Sequence, residues 1–173
     1  MLHRLAAFLL AFAAIGASPA NAEDASGRSS HTAWDMVSFE VKSWGRPVHS
    51  WRILPTGGGS WTEAVPEEQT PFGKYKLVWH EVEVGEEGYA KLVEILQALP
   101  DPAPDYQDCA NAMSDMPYGT IRLTRGSTTT EIEWNSGCLD DGYVAFVDAL
   151  KAADALVGQW GRAGKVLRTE NSQ

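Results

Sequence analysis

The spacing of apolar residues changes along this chain, and that spacing limits the folds the chain can form. Residues 37–41 alternate between apolar and polar, which is the pattern of a β-strand with one buried face. Between Gly85 and Pro100 the apolar residues follow helical spacing and form one stripe. Alternation returns in a hairpin over 120–134, and a second helical stripe follows over 140–157. The order of elements is therefore strands, helix, hairpin, helix.

This order predicts an α+β fold, an antiparallel β-sheet of about six strands with two amphipathic helices packed on one face. We expect a single α+β domain over residues 36–160, preceded by a flexible N-terminal segment at 23–35. Residues 161–173 are polar and are expected to form a C-terminal tail.

The first residues resemble an export signal. A short basic start ending at Arg4 precedes an apolar run over residues 5–17, and the small residues Ala20 and Ala22 follow it. The run is shorter than the roughly 20 apolar residues of a membrane-spanning helix. We therefore predict a signal peptide over 1–22, cleavage after Ala22, and a soluble mature protein in the periplasm or outside the cell, with no membrane span.

The chain contains two cysteines, and export would place them in an oxidising compartment. We predict a disulfide bond between Cys109 and Cys138. In the chain-entropy model, closing a loop of this length stabilises the fold by about 3–4 kcal/mol. The bond would anchor the long proline-rich and aspartate-rich segment at 100–117.

The charge of the chain argues against one class of partner. The formal net charge is −9, and removal of the leader would take away Arg4 but no acidic residue. Binding to a phosphate backbone depends on lysine and arginine side chains. Nucleic acid is therefore not an expected partner.

No motif in the sequence indicates a cofactor or a metal. The histidines at 31, 49 and 80 share no ligand spacing, and the glycines at 57–59 are not followed by the lysine of a phosphate-binding loop. The aspartates of the 101–115 segment do not match a calcium-binding loop. No cofactor and no metal site is predicted. The sequence leaves open whether two carboxylates form a pair for polymer hydrolysis, because such pairs meet only in the folded protein.

Seven tryptophans are the most unusual feature of the composition. The alternation places Trp51, Trp79 and Trp134 in the core. Two others lie beside turns and polar residues, and exposed tryptophan and arginine dominate contact energy at protein interfaces. The candidate binding surface consists of Trp44, Arg46, Arg52 and Trp61. The alternative is that the indoles of Trp44 and Trp61 fold over the end of the sheet and become buried.

The order of elements and their apolar pattern resemble the emfourin-type inhibitors of thermolysin-like proteases. The segments that carry the resemblance are Val37-Ser38-Phe39-Glu40-Val41, Trp51-Arg52-Ile53, Ile95-Leu96-Gln97-Ala98-Leu99-Pro100, Ile121-Arg122-Leu123 and Glu131-Ile132-Glu133-Trp134. The resemblance covers roughly residues 36–157 and implies a similar fold and, by analogy, an inhibitor. The chain departs from this family in its leader, its disulfide loop and the extra strand region at 59–84. The resemblance does not identify any residue of this chain as an inhibitory residue.

The first functional hypothesis is an exported, non-enzymatic binding or accessory protein, with a protein or a cell-envelope component as partner. The alternative is a hydrolase of cell-wall or extracellular polymer that uses carboxylates near the 101–115 segment. A third hypothesis is carriage of a small ligand between the sheet and the helices. The sequence carries no signal of oligomeric state.

Overall fold

A computed structural model describes residues 34–67 and 73–172. The predicted leader and positions 23–33 of the predicted flexible segment lie outside the described residues. Within the described part of the chain, no helix combines the length and apolarity needed to cross a membrane.

The described residues form one antiparallel sheet, two α-helices and a short 3-10 helix. The elements are β1 (Met36–Ser43), β2 (Arg46–Ile53), β3 (Gly58–Pro66), β4 (Tyr75–Glu83), α1 (Gly85–Leu96), a 3-10 helix (Tyr106–Asp108), β5 (Tyr118–Arg125), β6 (Thr128–Asn135), α2 (Asp141–Ala163) and β7 (Val166–Asn171). The spatial order of the strands is β6-β5-β1-β2-β3-β4-β7. The predicted α+β class and antiparallel sheet are confirmed, but the sheet has seven strands instead of about six.

One face of the sheet forms the core. Phe39 pairs with Trp51 on one side and with Ile121 on the other, and the row continues from Trp51 to Trp61. These side chains pack against the helices in one apolar cluster. The helix residues buried in that cluster are Tyr89, Leu92 and Leu96 of α1 and Tyr143, Phe146, Val147, Leu150, Ala153 and Val157 of α2. The stripes predicted for the two helices are therefore the faces that they bury.

Trp79 lies on the opposite face of the sheet. Trp79 pairs with Thr62 of β3, one residue out of phase with the core row of Trp61. Its indole is only partly buried, and the guanidinium carbon of Arg168 lies 4.1 Å from the ring centroid. The prediction that Trp79 belongs to the core is wrong. Strand β4 has apolar residues on both faces, so alternation alone does not identify its inner side.

The seventh strand comes from the segment that we expected to be a tail. Helix α2 continues to Ala163, and β7 then pairs antiparallel with β4. Every residue of β7 is exposed, so the strand has no apolar alternation that a sequence pattern could reveal. Backbone pairing holds it in place, including the bonds from Glu81 N to Lys165 O (2.9 Å) and from Ser172 N to Tyr75 O (2.8 Å).

The disulfide between Cys109 and Cys138 is present, with its Cα atoms 5.9 Å apart, as predicted. Backbone bonds on both sides of it join the loop to the start of α2. Met113 N donates to Gly137 O at 2.8 Å, and Leu139 N donates to Asn111 O at 2.8 Å. The covalent link therefore lies inside a short region of antiparallel pairing.

Asp140 holds the same loop. Its carboxylate accepts hydrogen bonds from Ala110 N (2.8 Å) and Asn111 Nδ2 (2.7 Å), and it does not cap the amides of α2. An aspartate directly before a helix often accepts hydrogen bonds from the first helix amides, but the side chain of Asp140 forms no such bond. The hydrogen bond from Ala110 and, to a smaller extent, the one from Asn111 stabilise the carboxylate. They lower the pKa of Asp140 below the ordinary value of an aspartate.

Candidate functional site

The turn between β1 and β2 presents an exposed indole. Trp44 and Gly45 both have positive φ angles, 53° and 75°, and Ser43 pairs with Arg46 across them. This is a two-residue hairpin turn of the type I′ class, whose central positions favour Asn and Gly. A bulky side chain in the left-handed region costs on the order of 1–2 kcal/mol. Even so, Trp44 occupies this position and is 63% exposed.

Arg46 connects this turn to the neighbouring hairpin of β3 and β4. Its guanidinium donates a hydrogen bond to Gly73 O, and its Cζ atom lies 4.7 Å from the centroid of the Tyr75 ring. The second contact has the geometry of a cation–π interaction. Tyr118 contributes from β5, because its hydroxyl accepts a hydrogen bond from Gly45 N at 3.1 Å. Contacts from two other hairpins therefore fix the β1–β2 turn.

A shallow groove of about 250 Å³ lies between the two hairpin ends. Trp44 and Val48 line it on one side, and Pro66 and Tyr75 line it on the other, with Arg46 between them. We call these five residues the hairpin-tip surface. It combines tryptophan, arginine and tyrosine with small apolar residues, which is the composition of a contact hot spot.

Only two of the four residues predicted for the binding surface lie on it. Trp44 and Arg46 meet at the hairpin tip, whereas Arg52 lies toward the other end of β2, where it pairs with Ser38 and Ser60. Arg52 is exposed there.

Trp61 is 3% exposed, so its predicted place on the binding surface is wrong. Helix α2 covers it. A Cβ atom added at Gly161 would lie 2.4 Å from Cβ of Trp61, which shows how closely the two backbones approach. The polar neighbours of Trp61 in the sequence gave no sign of this burial.

Val48, Pro66 and Tyr75 belong to the surface but were not predicted. Pro66 pairs with Tyr75 in the β3–β4 hairpin, and a hairpin reading of the sequence would have brought these two together. Their contact with Arg46 depends on the spatial order of the strands, for which the sequence has no local signal.

A second polar cluster lies where α2 crosses β2. The carboxylate of Asp154 is 2.8 Å and 2.9 Å from Nε2 of His49, and it also accepts a hydrogen bond from Nε1 of Trp51 at 2.9 Å. The side chains of His49 and Asp154 are each 21% exposed. Charge-assisted bonds in this partly buried position attach the helix to the sheet.

His80 lies next to this cluster and is 8% exposed. Its Nδ1 atom is 3.4 Å from Gly164 O, and its Nε2 atom is 3.4 Å from a carboxylate oxygen of Glu63. The ring packs against Trp61 with 5.2 Å between centroids. These contacts place His80 in the packing between α2 and the sheet.

The described residues contain one group of three side chains whose potential metal-ligating atoms lie within 4.8 Å of one another: Cys109, Cys138 and Asp140. The two sulfur atoms of this group are bonded to each other, and the Asp140 carboxylate accepts hydrogen bonds from the adjacent loop. The group is therefore the anchor of the disulfide loop.

A cavity of about 420 Å³ separates the 3-10 helix from the end of β6. Asp105 and Glu133 both line it, and Lys42, Tyr118 and Asn135 complete much of its polar wall. One oxygen of Asp105 accepts a hydrogen bond from Gln107 N at 2.8 Å. Asp105 of the 101–115 segment and Glu133 of the sheet therefore line the same cavity.

Comparison of the chain with protein-family models, with curated proteins and with solved structures gives no match, and the resemblance to emfourin-type inhibitors stays a prediction.

Proposed function

We propose that this chain is an exported, non-enzymatic binding module that contacts a partner protein through its hairpin-tip surface. The observation that carries the proposal is Trp44, a large indole that is 63% exposed at a left-handed turn position. Fold stability favours Asn or Gly at that position. An exposed tryptophan there costs stability and offers a large contact area to a partner.

The surroundings of Trp44 support a contact role. Arg46 is already held by Gly73 and Tyr75, so little side-chain freedom remains to be lost on binding. Lys74 also lines the groove, and the surface is therefore locally basic on a chain of net charge −9. The complementary partner surface has an apolar pocket that accepts an indole, with acidic residues around it.

Export is the second part of the proposal. The disulfide between Cys109 and Cys138 is of the kind that persists in oxidising compartments. Mass spectrometry of the native protein tests this part. We expect a mature chain that begins at Glu23 and carries no free thiol, and an intact leader would contradict export.

The binding test compares two substitutions of exposed apolar residues. Trp44→Asn removes the indole and keeps a residue that suits the turn, so this variant should be at least as stable as the native chain. Leu54→Asn is the matched control, because Leu54 is 40% exposed beyond the other end of β2.

The oxidised mature chain is used as bait in the envelope fraction of the exporting cells, and the captured partner is then purified for calorimetry. We expect Trp44→Asn to weaken binding by at least about 1.4 kcal/mol, or tenfold, and Leu54→Asn to leave it unchanged. Equal affinity of native protein and Trp44→Asn would refute the role of the surface.

The cavity shared by Asp105 and Glu133 favours a second candidate function, a hydrolase of cell-wall or extracellular polymer. One carboxyl would act as general acid and the other as base or nucleophile. The test is release of soluble products from peptidoglycan and from extracellular polysaccharide. Glu133→Gln should abolish turnover, whereas Glu131→Gln, a carboxylate of the same strand that pairs with Arg122, should not. No turnover by the native chain would reject this function.

A further inference from the structure

Among residues 34–67 and 73–172, strand β6 is the terminal strand of the sheet and pairs with β5 alone. Within this part of the chain its outer edge therefore carries a defined set of backbone groups without a strand partner. The two-residue turn after Arg125 makes Arg125 and Thr128 a hydrogen-bonded pair, so alternate residues from Thr128 onward bond to β5. The backbone N–H and C=O groups of Thr129, Glu131 and Glu133 therefore point away from the sheet.

One hydrogen bond at the end of β6 confirms this register. Asn135 N donates to the hydroxyl of Tyr143 at 3.0 Å and not to β5, so Asn135 belongs to the outward-pointing set. The 3-10 helix lies beside this end, because Asp105 and Gln107 line one cavity together with Glu133 and Asn135. Residues Thr129 and Glu131, together with Glu133, are exposed, so we take the open part of the edge to run from Thr129 to Glu133.

An apolar groove of about 480 Å³ adjoins this open edge on the core side of the sheet. Ile132 and Thr130 form the β6 side of the groove. The residues that form its other apolar walls include Trp34, Leu96, Leu99, Pro100, Ala103 and Leu123. An extended chain that pairs with β6 would point alternate side chains into this groove.

The other face of β6 is acidic. Glu131 and Glu133 flank Ile132 and lie on the other side of the sheet. Glu131 pairs with Arg122, whereas Glu133 forms no ion pair within residues 34–67 and 73–172. A strand added here would be favoured by basic side chains opposite the two glutamates and an apolar side chain opposite Ile132.

We propose that the edge of β6 binds an extended segment of a partner chain in which basic and apolar residues alternate. Main-chain hydrogen bonds to Thr129, Glu131 and Glu133 supply affinity, and the glutamates and the groove supply specificity. The site is separate from the hairpin-tip surface and does not depend on the function proposed for it.

The charges of β6 argue against a second copy of this chain as the occupant. Antiparallel self-pairing centred on Ile132 would place Glu131 opposite Glu133, and centring on either glutamate would place that residue opposite itself. Like charges directly opposite each other destabilise a strand pair. Each copy also has a net charge of −9, which adds long-range repulsion.

The test uses the oxidised mature chain and a short blocked peptide in which lysine and leucine alternate. Amide hydrogen exchange is followed by NMR with and without the peptide. We expect exchange at Thr129, Glu131 and Glu133 to slow by at least about tenfold, with no change at Trp44 or Gly45. A peptide of the same composition in scrambled order, and one with glutamate in place of lysine, serve as controls and should leave exchange unchanged.

Two substitutions of Glu131 separate the contribution of its backbone N–H from the contribution of its carboxylate charge. Glu131→Pro removes an N–H that makes no bond to β5, a position where an edge strand tolerates proline, and it should abolish peptide binding. Glu131→Gln keeps the backbone and should weaken binding by less than about tenfold. Trp44→Asn should bind the peptide as the native chain does.

Three results would overturn the proposal. The first is binding of the scrambled peptide as tightly as the alternating one. The second is an absence of protection at the three amides of the native chain, which does not depend on the folding of any variant. The third is protection of those amides without peptide in a sample that sedimentation shows to be dimeric.

Discussion

Two glycines of helix α2 should respond to alanine in opposite directions. A Cβ atom added at Gly161 would lie 2.4 Å from both Cβ and Cγ of Trp61 and 2.6 Å from its Cδ2. Ordinary carbon contacts are about 3.5–4.0 Å, so the added atom overlaps its neighbours by more than about 1 Å. Cβ of Trp61 is fixed by the backbone of β3 and cannot rotate away. Helix α2 must therefore move off the sheet.

The magnitude follows from two opposing contributions. Overpacking of a buried site costs about 1–3 kcal/mol, whereas replacing glycine by alanine within a helix gains about 1 kcal/mol. Because Cβ of Trp61 cannot move aside, the cost at Gly161 lies in the upper part of that range, and Gly161→Ala should lower the free energy of unfolding by about 1–2 kcal/mol. At Gly142 of the same helix, an added Cβ would meet no heavy atom of the described residues within 4 Å, apart from its chain neighbours and the adjacent helix backbone. Gly142→Ala should raise the free energy of unfolding by up to about 1 kcal/mol.

The assay is urea unfolding of the disulfide-bonded chain from Glu23 onward, followed by tryptophan fluorescence and by far-ultraviolet circular dichroism. The two variants should differ by about 2 kcal/mol in the free energy of unfolding, which for a chain of this length separates their thermal midpoints by roughly 4–8 °C. Equal stability of Gly161→Ala and Gly142→Ala would show that α2 does not press on Trp61 as described.

Two further substitutions test the polar contacts. Asp154→Ala removes the acceptor shared by His49 and Trp51 and should lower the free energy of unfolding by about 1.5–3 kcal/mol, toward the lower end because the site is partly exposed. Asp148→Ala, on the exposed side of α2 with its side chain 64% exposed, should change it by less than about 0.5 kcal/mol, and equal losses would contradict this role. Asp140→Asn should destabilise the native chain at neutral pH. The folded pKa of Asp140 is lowered, so its contribution is present above the unfolded pKa and disappears as the pH falls through the folded pKa. Urea denaturation across that pH range should show the difference in free energy of unfolding between the native chain and Asp140→Asn becoming smaller in acid. A difference that does not change with pH would contradict this role of Asp140.

Several elements could be predicted because their signals are local. The alternation over Val37–Val41 identifies the core face of β1, and Gly126 before Ser127 identifies the β5–β6 turn, where Gly126 has a positive φ of 57°. The disulfide was predicted from an even number of cysteines in a chain whose first residues resemble an export signal. In each case the residues that decide the structure lie close together or have no alternative partner.

The missed features depend on distant contacts. Strand β7 has no buried residue, so its position depends on unpaired backbone groups of β4. Burial of Trp61 depends on the packing of α2 against it. The contact is made at Gly161, one hundred residues further along the chain. The hairpin-tip surface likewise depends on the neighbouring positions of β2, β3 and β4, which bring Arg46 against Tyr75.

The pairing of β7 has a practical consequence for protein engineering. Ser172 N bonds to Tyr75 O, Tyr75 N bonds to Ser172 Oγ at 3.0 Å, and Ser172 shares a pocket with Gly45 and Arg46. An affinity tag or fluorescent label fused directly after Ser172 would thus begin beside Arg46, one of the five residues of the hairpin-tip surface. Fusions placed before Trp34 instead would leave that end of the sheet unobstructed.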